Sequence, residues 1–190
     1  MKKLWIILIV LALALTGCAR GTDRHPEWDG AWTRFGDILA VESPEGFALD
    51  EFNDTLSVGG IWYGTWTRGD GRTVTGADGE EATAYDVQIY LVLKESKRQA
   101  EAEADVADWL VREGENYEAG AVDQRAVDGQ SYRLLPLLSP LRDNPYARGM
   151  AAFAVRDSLA VSVEVLCGAD FQGDEAAILE EFLNGIHFGQ

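Results

Sequence analysis

The chain has 190 residues, of which 32 are acidic and 16 are basic, so its formal net charge at pH 7 is −16. A surface this acidic argues against binding to nucleic acid or to anionic lipid. It favours cations, cationic partners or simple solvation. The residues after position 17 suffice for one domain with a hydrophobic core.

The chain begins with the features of an export signal. Lys2 and Lys3 supply a positive start, and an uncharged apolar run follows over residues 4–15. A membrane-spanning helix needs about 20 apolar residues, so this run is too short to span comfortably. The pattern is typical of a secretory signal peptide.

The sequence Leu15-Thr16-Gly17-Cys18 resembles the lipobox of bacterial lipoproteins. The resemblance implies that the chain is cut before Cys18 and that Cys18 becomes a diacylglyceryl cysteine, carrying fatty acids such as palmitate. Two acyl chains hold a protein stably at a membrane. We therefore expect a cell-membrane lipoprotein on the extracytoplasmic side, with a signal peptide over 1–17, a lipidated N-terminus and linker over 18–37, and a domain over 38–190. The alternative is an ordinary signal peptide with an incidental cysteine.

The first half of the domain predicts strands separated by turns. The predicted elements are a strand over 38–41, a turn over 44–46, a strand from residue 47, a strand over 61–67, a glycine-rich connection over 68–83 and a strand over 85–93. The last of these has apolar residues on both faces, so we expect it to be central in a sheet.

A helix is predicted over 96–113. Ser96 followed by Gln99 has the spacing of a capping box, and Gly114 suits a C-terminal cap. The expected buried stripe consists of Ala100, Ala104, Ala107, Leu110 and Val111.

The second half predicts two hairpins and a final helix. Asp128-Gly129 suits a tight turn between strands over 121–127 and 130–135. A second hairpin joins 150–155 to 159–167, and a helix begins at Asp174 and stops at Gly185. Strands and helices segregated in this way indicate an α+β fold, an antiparallel sheet with packed helices.

Three stretches resemble the PsbP family of photosystem accessory proteins and the related Mog-type Ran-binding fold. They are Ser43–Phe47, Val127–Leu134, and the terminal hairpin and helix with Gly185-Ile186-His187-Phe188. The resemblance covers about residues 38–188. It implies a central antiparallel sheet covered by helices, and family members are mostly binding or assembly factors rather than enzymes.

Cysteine and histidine are too few to predict catalysis or metal binding through them. Cys167 alternates with valines, so we interpret it as a buried hydrophobe rather than a reactive thiol. His25 lies in the linker and His187 lies between two apolar anchors, so no Ser-His-Asp arrangement can be predicted. Two histidines and two cysteines also argue against zinc.

An acidic group lies in the glycine-rich connection. Asp70, Asp78, Glu80 and Glu81 supply several oxygens, which is what calcium requires, but the spacing is not that of an EF-hand. A solvated acidic hairpin is the preferred interpretation, and calcium is the alternative.

Aromatic residues offer a different kind of site. Trp62 and Trp66 share a strand face, and Trp28, Trp32 and Phe35 have helical spacing. Both groups fit core packing. Alternatively, Trp62 and Trp66 form a stacking surface for a sugar or a peptide.

The sequence therefore predicts a non-catalytic binding or assembly module that is anchored to a membrane, uses no cofactor or metal and holds an unidentified protein partner. The alternative is a lipoprotein that recognises carbohydrate or peptide through exposed Trp62 and Trp66. A third interpretation, an exported hydrolase, requires a deep pocket with converging polar groups around His187.

Overall fold

The computed structural model describes residues 26–28, 32–52, 60–75, 81–139 and 144–189. The predicted signal peptide and Cys18 lie outside these ranges. Within them, no helix is both long enough and apolar enough to cross a bilayer.

The described residues form thirteen strands and two helices. The strands are β1 (Pro26–Trp28), β2 (Trp32–Phe35), β3 (Leu39–Glu42), β4 (Ala48–Phe52), β5 (Ile61–Arg68), β6 (Arg72–Thr75), β7 (Glu81–Ala84), β8 (Val87–Glu95), β9 (Asp123–Val127), β10 (Gln130–Leu138), β11 (Tyr146–Arg156), β12 (Leu159–Gly168) and β13 (Ile186–Phe188). The helices are α1 (Gln99–Asn116) and α2 (Glu175–Asn184).

A seven-stranded sheet forms the centre of the molecule, in the order β4-β5-β8-β12-β11-β10-β9. Every neighbouring pair is antiparallel. Strand β8 has a neighbour on each side, so the prediction of a central strand over 85–93 is confirmed. The predicted antiparallel sheet with packed helices is confirmed in outline, but strands dominate more than a balanced α+β class implies.

Two smaller sheets correct the sequence interpretation. Strands β1, β2, β3 and β13 form one of them, so the range 18–37 predicted as linker contributes two strands. The helical spacing of Trp28, Trp32 and Phe35 was misleading, because these residues lie in β1 and β2, where alternation buries Thr33 and Phe35. Strands β6 and β7 form the third sheet inside the predicted connection 68–83.

One face of the large sheet packs against α2 and forms the main core. The apolar side chains of α2 that enter this core are Ile178, Leu179, Phe182 and Leu183. Cys167 continues the row of Val161, Val163 and Val165 and is fully buried. The interpretation of Cys167 as a core residue is therefore confirmed, and burial raises the pKa of its thiol to about 11.

Helix α1 packs on the opposite face, against β11 and β12, through a different stripe from the one predicted. The residues that face the sheet are Ala102, Val106, Trp109, Leu110 and Glu113. Val111 is 62% exposed, and the three alanines of the predicted stripe are exposed as well. The predicted stripe was therefore wrong except for Leu110.

The ends of α1 also differ from the prediction. Arg98 is the N-cap residue and its side chain makes no capping bond, while the Ser96 hydroxyl donates to Asp105 instead of the helix end. The helix continues past Gly114 to Asn116. The Glu101 carboxylate accepts the backbone N–H of Lys97 at 3.2 Å, so an acidic side chain in the first turn contacts the helix start.

The two predicted hairpins are confirmed. Asp128 and Gly129 have φ of 47° and 77°, the left-handed conformation that a two-residue turn of this type needs. Asp157, in the turn between β11 and β12, has φ of 53°. Strand β11 begins at Tyr146, four residues before the predicted strand, and pairs with β12 along its length.

The start of α2 is held by a side-chain cap. The Asp174 carboxylate accepts the backbone N–H groups of Ala176 and Ala177 at 2.9 and 3.3 Å. Replacing Asp174 with Ala is expected to lower the free energy of unfolding by about 1 kcal/mol, because two N–H groups lose their acceptor. Urea denaturation checks this value, and an equal loss for Asp174→Asn, which retains a side-chain oxygen, would argue against capping as the cause.

Candidate functional site

A cleft of about 290 Å³ lies where the β9–β10 turn, the end of β11, the end of α2 and strand β13 meet. We call it the His187 cleft. Its lining residues are Val127, Asp128, Gln130, Tyr132, Arg156, Leu183, Ile186, His187 and Phe188. It combines an apolar floor from core residues with polar side chains from four separate elements.

Tyr132 is the most informative residue of the His187 cleft. It is only 1% exposed and belongs to the main core, yet it lines the cleft. No described residue shares a hydrogen bond with its hydroxyl. Burial raises the pKa of Tyr132 to about 12, with Arg156 lowering it and Asp128 raising it. The hydroxyl therefore stays a neutral donor, and because it opens onto the cleft rather than being sealed in the core, a ligand in the cleft can accept its hydrogen bond.

Arg156 is the cationic group of the His187 cleft. Its guanidinium carbon lies 4.6 Å from the centroid of the Phe188 ring, a cation–π distance. Among the residues that the structure describes, no carboxylate forms an ion pair with Arg156. The guanidinium is thus positioned by an aromatic ring while its hydrogen-bond donors remain available.

His187 and Gln130 complete the polar wall. The imidazole of His187 is exposed, and its ring centroid lies 5.0 Å from that of Trp32. The Gln130 side-chain amide donates to the backbone oxygens of Ser131 and Val155 at 3.1 and 3.2 Å. Gln130 is therefore fixed in place, with its side-chain oxygen left as an acceptor.

The structure does not bring Cys167 and His187 together. Cys167 lies near the end of β12, opposite Val87 and Arg148. The His187 cleft lies at the other end of β12, beside the hairpin between Arg156 and Leu159. A thiol–imidazole pair is excluded by this placement.

Trp62 and Trp66 are core residues, so core packing is the correct interpretation and the alternative, an exposed stacking surface, is wrong. They are 3% and 0% exposed. Trp66 packs edge-on against Phe182 of α2, with ring centroids 5.0 Å apart. The reason is that α2 covers this sheet face, whereas the opposite face, with Ile61 and Tyr63, is the less buried one on this strand.

The acidic group in the 68–83 connection is only partly described. Asp70 and Glu81 are exposed, while Asp78 and Glu80 lie outside the described residues. Among the side chains that the structure does place, no group of three or more His, Cys, Asp or Glu is arranged to hold a metal ion. The calcium interpretation gains no support from these residues.

A second polar cluster lies under α1. Glu113 faces the sheet and is 4% exposed, and Glu164 lies opposite on the central strand β12. Burial, followed by the charge of Glu113, raises the pKa of Glu164 to about 7. Burial likewise raises the pKa of Tyr90 and of Tyr117 to about 12.

Sequence reasoning named His187 only as the centre of the pocket that a hydrolase would require, and it missed Tyr132, Arg156 and Gln130. Tyr132 alternates correctly for a core strand, so its sequence position indicates packing alone. Arg156 ends a hairpin strand, where a charged residue is usual. These residues form a site only because β10, β11 and β13 lie close together in the folded chain. Their spacing along the sequence gives no indication of this proximity.

No protein-family model matches the chain, and no curated protein matches it. A crystal structure from Bacteroides thetaiotaomicron VPI-5482 superposes with a TM-score of 0.50 at 8% identity, covering 80% of this chain and 46% of that one. The chain thus spans less than half of that protein. The solution structure of cyanobacterial PsbP (CyanoP) from Synechocystis sp. PCC 6803 superposes with a TM-score of 0.48 at 10% identity, covering 90% and 96%. At this level of similarity neither structure indicates what the chain binds.

Proposed function

We propose that this chain is a lipoprotein anchored by Cys18 to the extracytoplasmic side of a bacterial cell membrane, where it acts as a non-catalytic binding module. The lipobox-like sequence before Cys18 supports the anchor. The single observation that supports binding is the hydroxyl of Tyr132, a largely buried residue that lines the His187 cleft and shares no hydrogen bond with another described residue.

Binding fits the lining of the His187 cleft better than hydrolysis does. Tyr132 supplies the only hydroxyl among the lining residues, and none of them is a cysteine. A phenol with a pKa raised to about 12 is a weak nucleophile at neutral pH because almost none of it is ionised. The cleft therefore offers groups that hold a ligand, rather than a nucleophile activated by a base.

Replacing Cys18 with Ser is expected to leave an unlipidated precursor that still carries residues 1–17. The reason is that diacylglycerol transfer needs the thiol, and cleavage of a lipoprotein follows the transfer. Mass spectrometry of the unaltered protein, purified from its native membranes, should show a diacylglyceryl adduct on an N-terminal cysteine. A mature chain that begins elsewhere without a lipid would contradict the anchor.

The binding role is tested by crosslinking in the native membrane. A photoreactive phenylalanine analogue at position 188 is expected to capture a specific species, because Phe188 lines the His187 cleft. Capture should be lost in the Arg156→Met background and retained with Arg98→Met, which alters an exposed arginine at the start of α1 that does not line the His187 cleft. Equal capture in both backgrounds would argue against the cleft as the binding site.

A further inference from the structure

We propose that the His187 cleft binds a monoanionic carboxylate on a short aliphatic group, held by Arg156 and the Tyr132 hydroxyl. This inference rests on the proposed binding function and names its ligand class. Two of the polar groups that line the cleft are hydrogen-bond donors, the Tyr132 hydroxyl and the cationic Arg156 guanidinium.

Arg156 sets the charge of the ligand. Its guanidinium has no ion pair with any carboxylate in the described ranges, and the Phe188 ring holds it in place. A guanidinium presents donors in a planar fork that matches the two oxygens of a carboxylate. Because the ring contact already orders the side chain, less rotamer entropy is lost on binding.

The Tyr132 hydroxyl determines how deeply the ligand enters the His187 cleft. Its hydroxyl lies at the border between the core and the cleft, where water has limited access. A carboxylate oxygen that reaches it would satisfy a donor that no described side chain satisfies. Hydrogen bonds to a charged acceptor are stronger than those between neutral groups.

Asp128 limits the charge that the cleft accepts. This carboxylate lines the same cleft, on the turn before β10. It repels a second negative charge, so a monoanionic carboxylate is favoured over inorganic phosphate, which is partly dianionic at neutral pH.

The apolar floor and the volume of the His187 cleft indicate to what kind of molecule the carboxylate belongs. Val127, Leu183 and Ile186 form the apolar part of the lining. A volume of about 290 Å³ lies near the lower end of ligand pockets. The carboxylate can therefore come from a small aliphatic acid or from the C-terminus of a peptide, and the chemistry of recognition is the same.

The test is a titration of the full chain in detergent micelles, with the phenolic carbon of all 6 tyrosines labelled with ¹³C for NMR. The probes are propionate, N-acetyl-trialanine with a free carboxyl terminus, the same peptide as its amide, and inorganic phosphate. The variants are Tyr132→Phe, which also assigns the Tyr132 signal, and Arg156→Met, with Arg98→Met as the matched control. Thermal melts verify that each variant is folded.

Propionate or the free-acid peptide should shift the Tyr132 signal saturably, while the peptide amide should not. Binding of propionate alone identifies a small acid as the source, and binding of the free-acid peptide identifies a chain terminus. For the probe that binds, calorimetric affinity should fall about tenfold or more in Tyr132→Phe and in Arg156→Met, and stay unchanged in Arg98→Met.

Three results would overturn the carboxylate assignment. The first is that neither propionate nor the free-acid peptide shifts the Tyr132 signal saturably, and the second is that phosphate binds more tightly than both of these carboxylates. The third is that the affinity of the carboxylate is unchanged in Arg156→Met. If these occur while crosslinking at position 188 still depends on Arg156, the binding function stands and only the ligand class is wrong. If carboxylate binding is not observed and crosslinking at position 188 does not depend on Arg156 either, the proposed binding function is contradicted as well.

Discussion

Replacing Trp66 with Ala is expected to lower the free energy of unfolding by about 3–5 kcal/mol. Trp66 is fully buried on β5 and packs edge-on against Phe182 of α2. Its indole N–H donates to the Ser43 hydroxyl at 3.0 Å. Gly64 leaves room for the ring, since a Cβ at that position would lie 2.9 Å from Trp66. The substitution therefore removes both a large apolar contact between sheet and helix and a part-buried hydrogen bond.

Two comparison variants separate the causes of this loss. Trp66→Phe retains an aromatic ring but loses the bond to Ser43, so we expect a smaller loss than for alanine. Val111→Ala, at an exposed position of α1, should change stability by about 0.5 kcal/mol or less. Urea denaturation of the three variants measures these differences. A Trp66→Ala protein as stable as Val111→Ala would contradict the placement of Trp66 in the core.

Local signals allowed the hairpins and α2 to be predicted from the sequence. Asp128-Gly129 determines its turn because few residues adopt positive φ without strain. Asp174 determines the start of α2 because its side chain replaces a missing backbone acceptor. Each of these features depends on neighbouring residues only, so the sequence contains the information directly.

The face of α1 could not be predicted, because alanine is compatible with either side of a helix. The alanines at 100, 104 and 107 lie in solvent, and the buried stripe includes a glutamate, Glu113, which a hydrophobicity pattern assigns to the surface. The strands β1 and β2 were missed for a related reason. Three aromatic residues matched a helical period by coincidence, whereas every second residue of β2, Thr33 and Phe35, is buried, which is the period of a strand.

The buried Glu113 and the half-buried Glu164 under α1 have a consequence for stability. Glu164 lies on β12, at the centre of the sheet, and Glu113 faces it from α1. In this poorly solvated space, the negative charge of Glu113 disfavours ionisation of Glu164. Arg112, which pairs with Glu113 at 3.2 Å, and the Ser162 hydroxyl act in the opposite direction on Glu164. Burial and the charge of Glu113 prevail, so the pKa of Glu164 rises to about 7.

This pKa determines how stability changes with pH. The unfolded chain releases the Glu164 proton near the ordinary value of 4.5, whereas the folded chain keeps it until about pH 7. Between these values the folded state binds more protons than the unfolded state, so the contribution of Glu164 to stability falls as pH rises. The full loss is present above pH 7 and is on the order of 3 kcal/mol.

Replacing Glu164 with Gln is therefore expected to stabilise the protein at pH 8 by on the order of 3 kcal/mol and to have little effect at pH 4.5. Glutamine keeps the shape and hydrogen bonds of a protonated glutamate but cannot ionise. Urea denaturation of both proteins at the two pH values measures the difference. Glu103→Gln, at an exposed position of α1, is the matched control and should alter stability equally at both pH values. If the gain from Glu164→Gln at pH 8 is no larger than at pH 4.5, the carboxyl of Glu164 ionises as freely in the folded chain as in the unfolded one, and the contact between α1 and β12 does not depend on its proton.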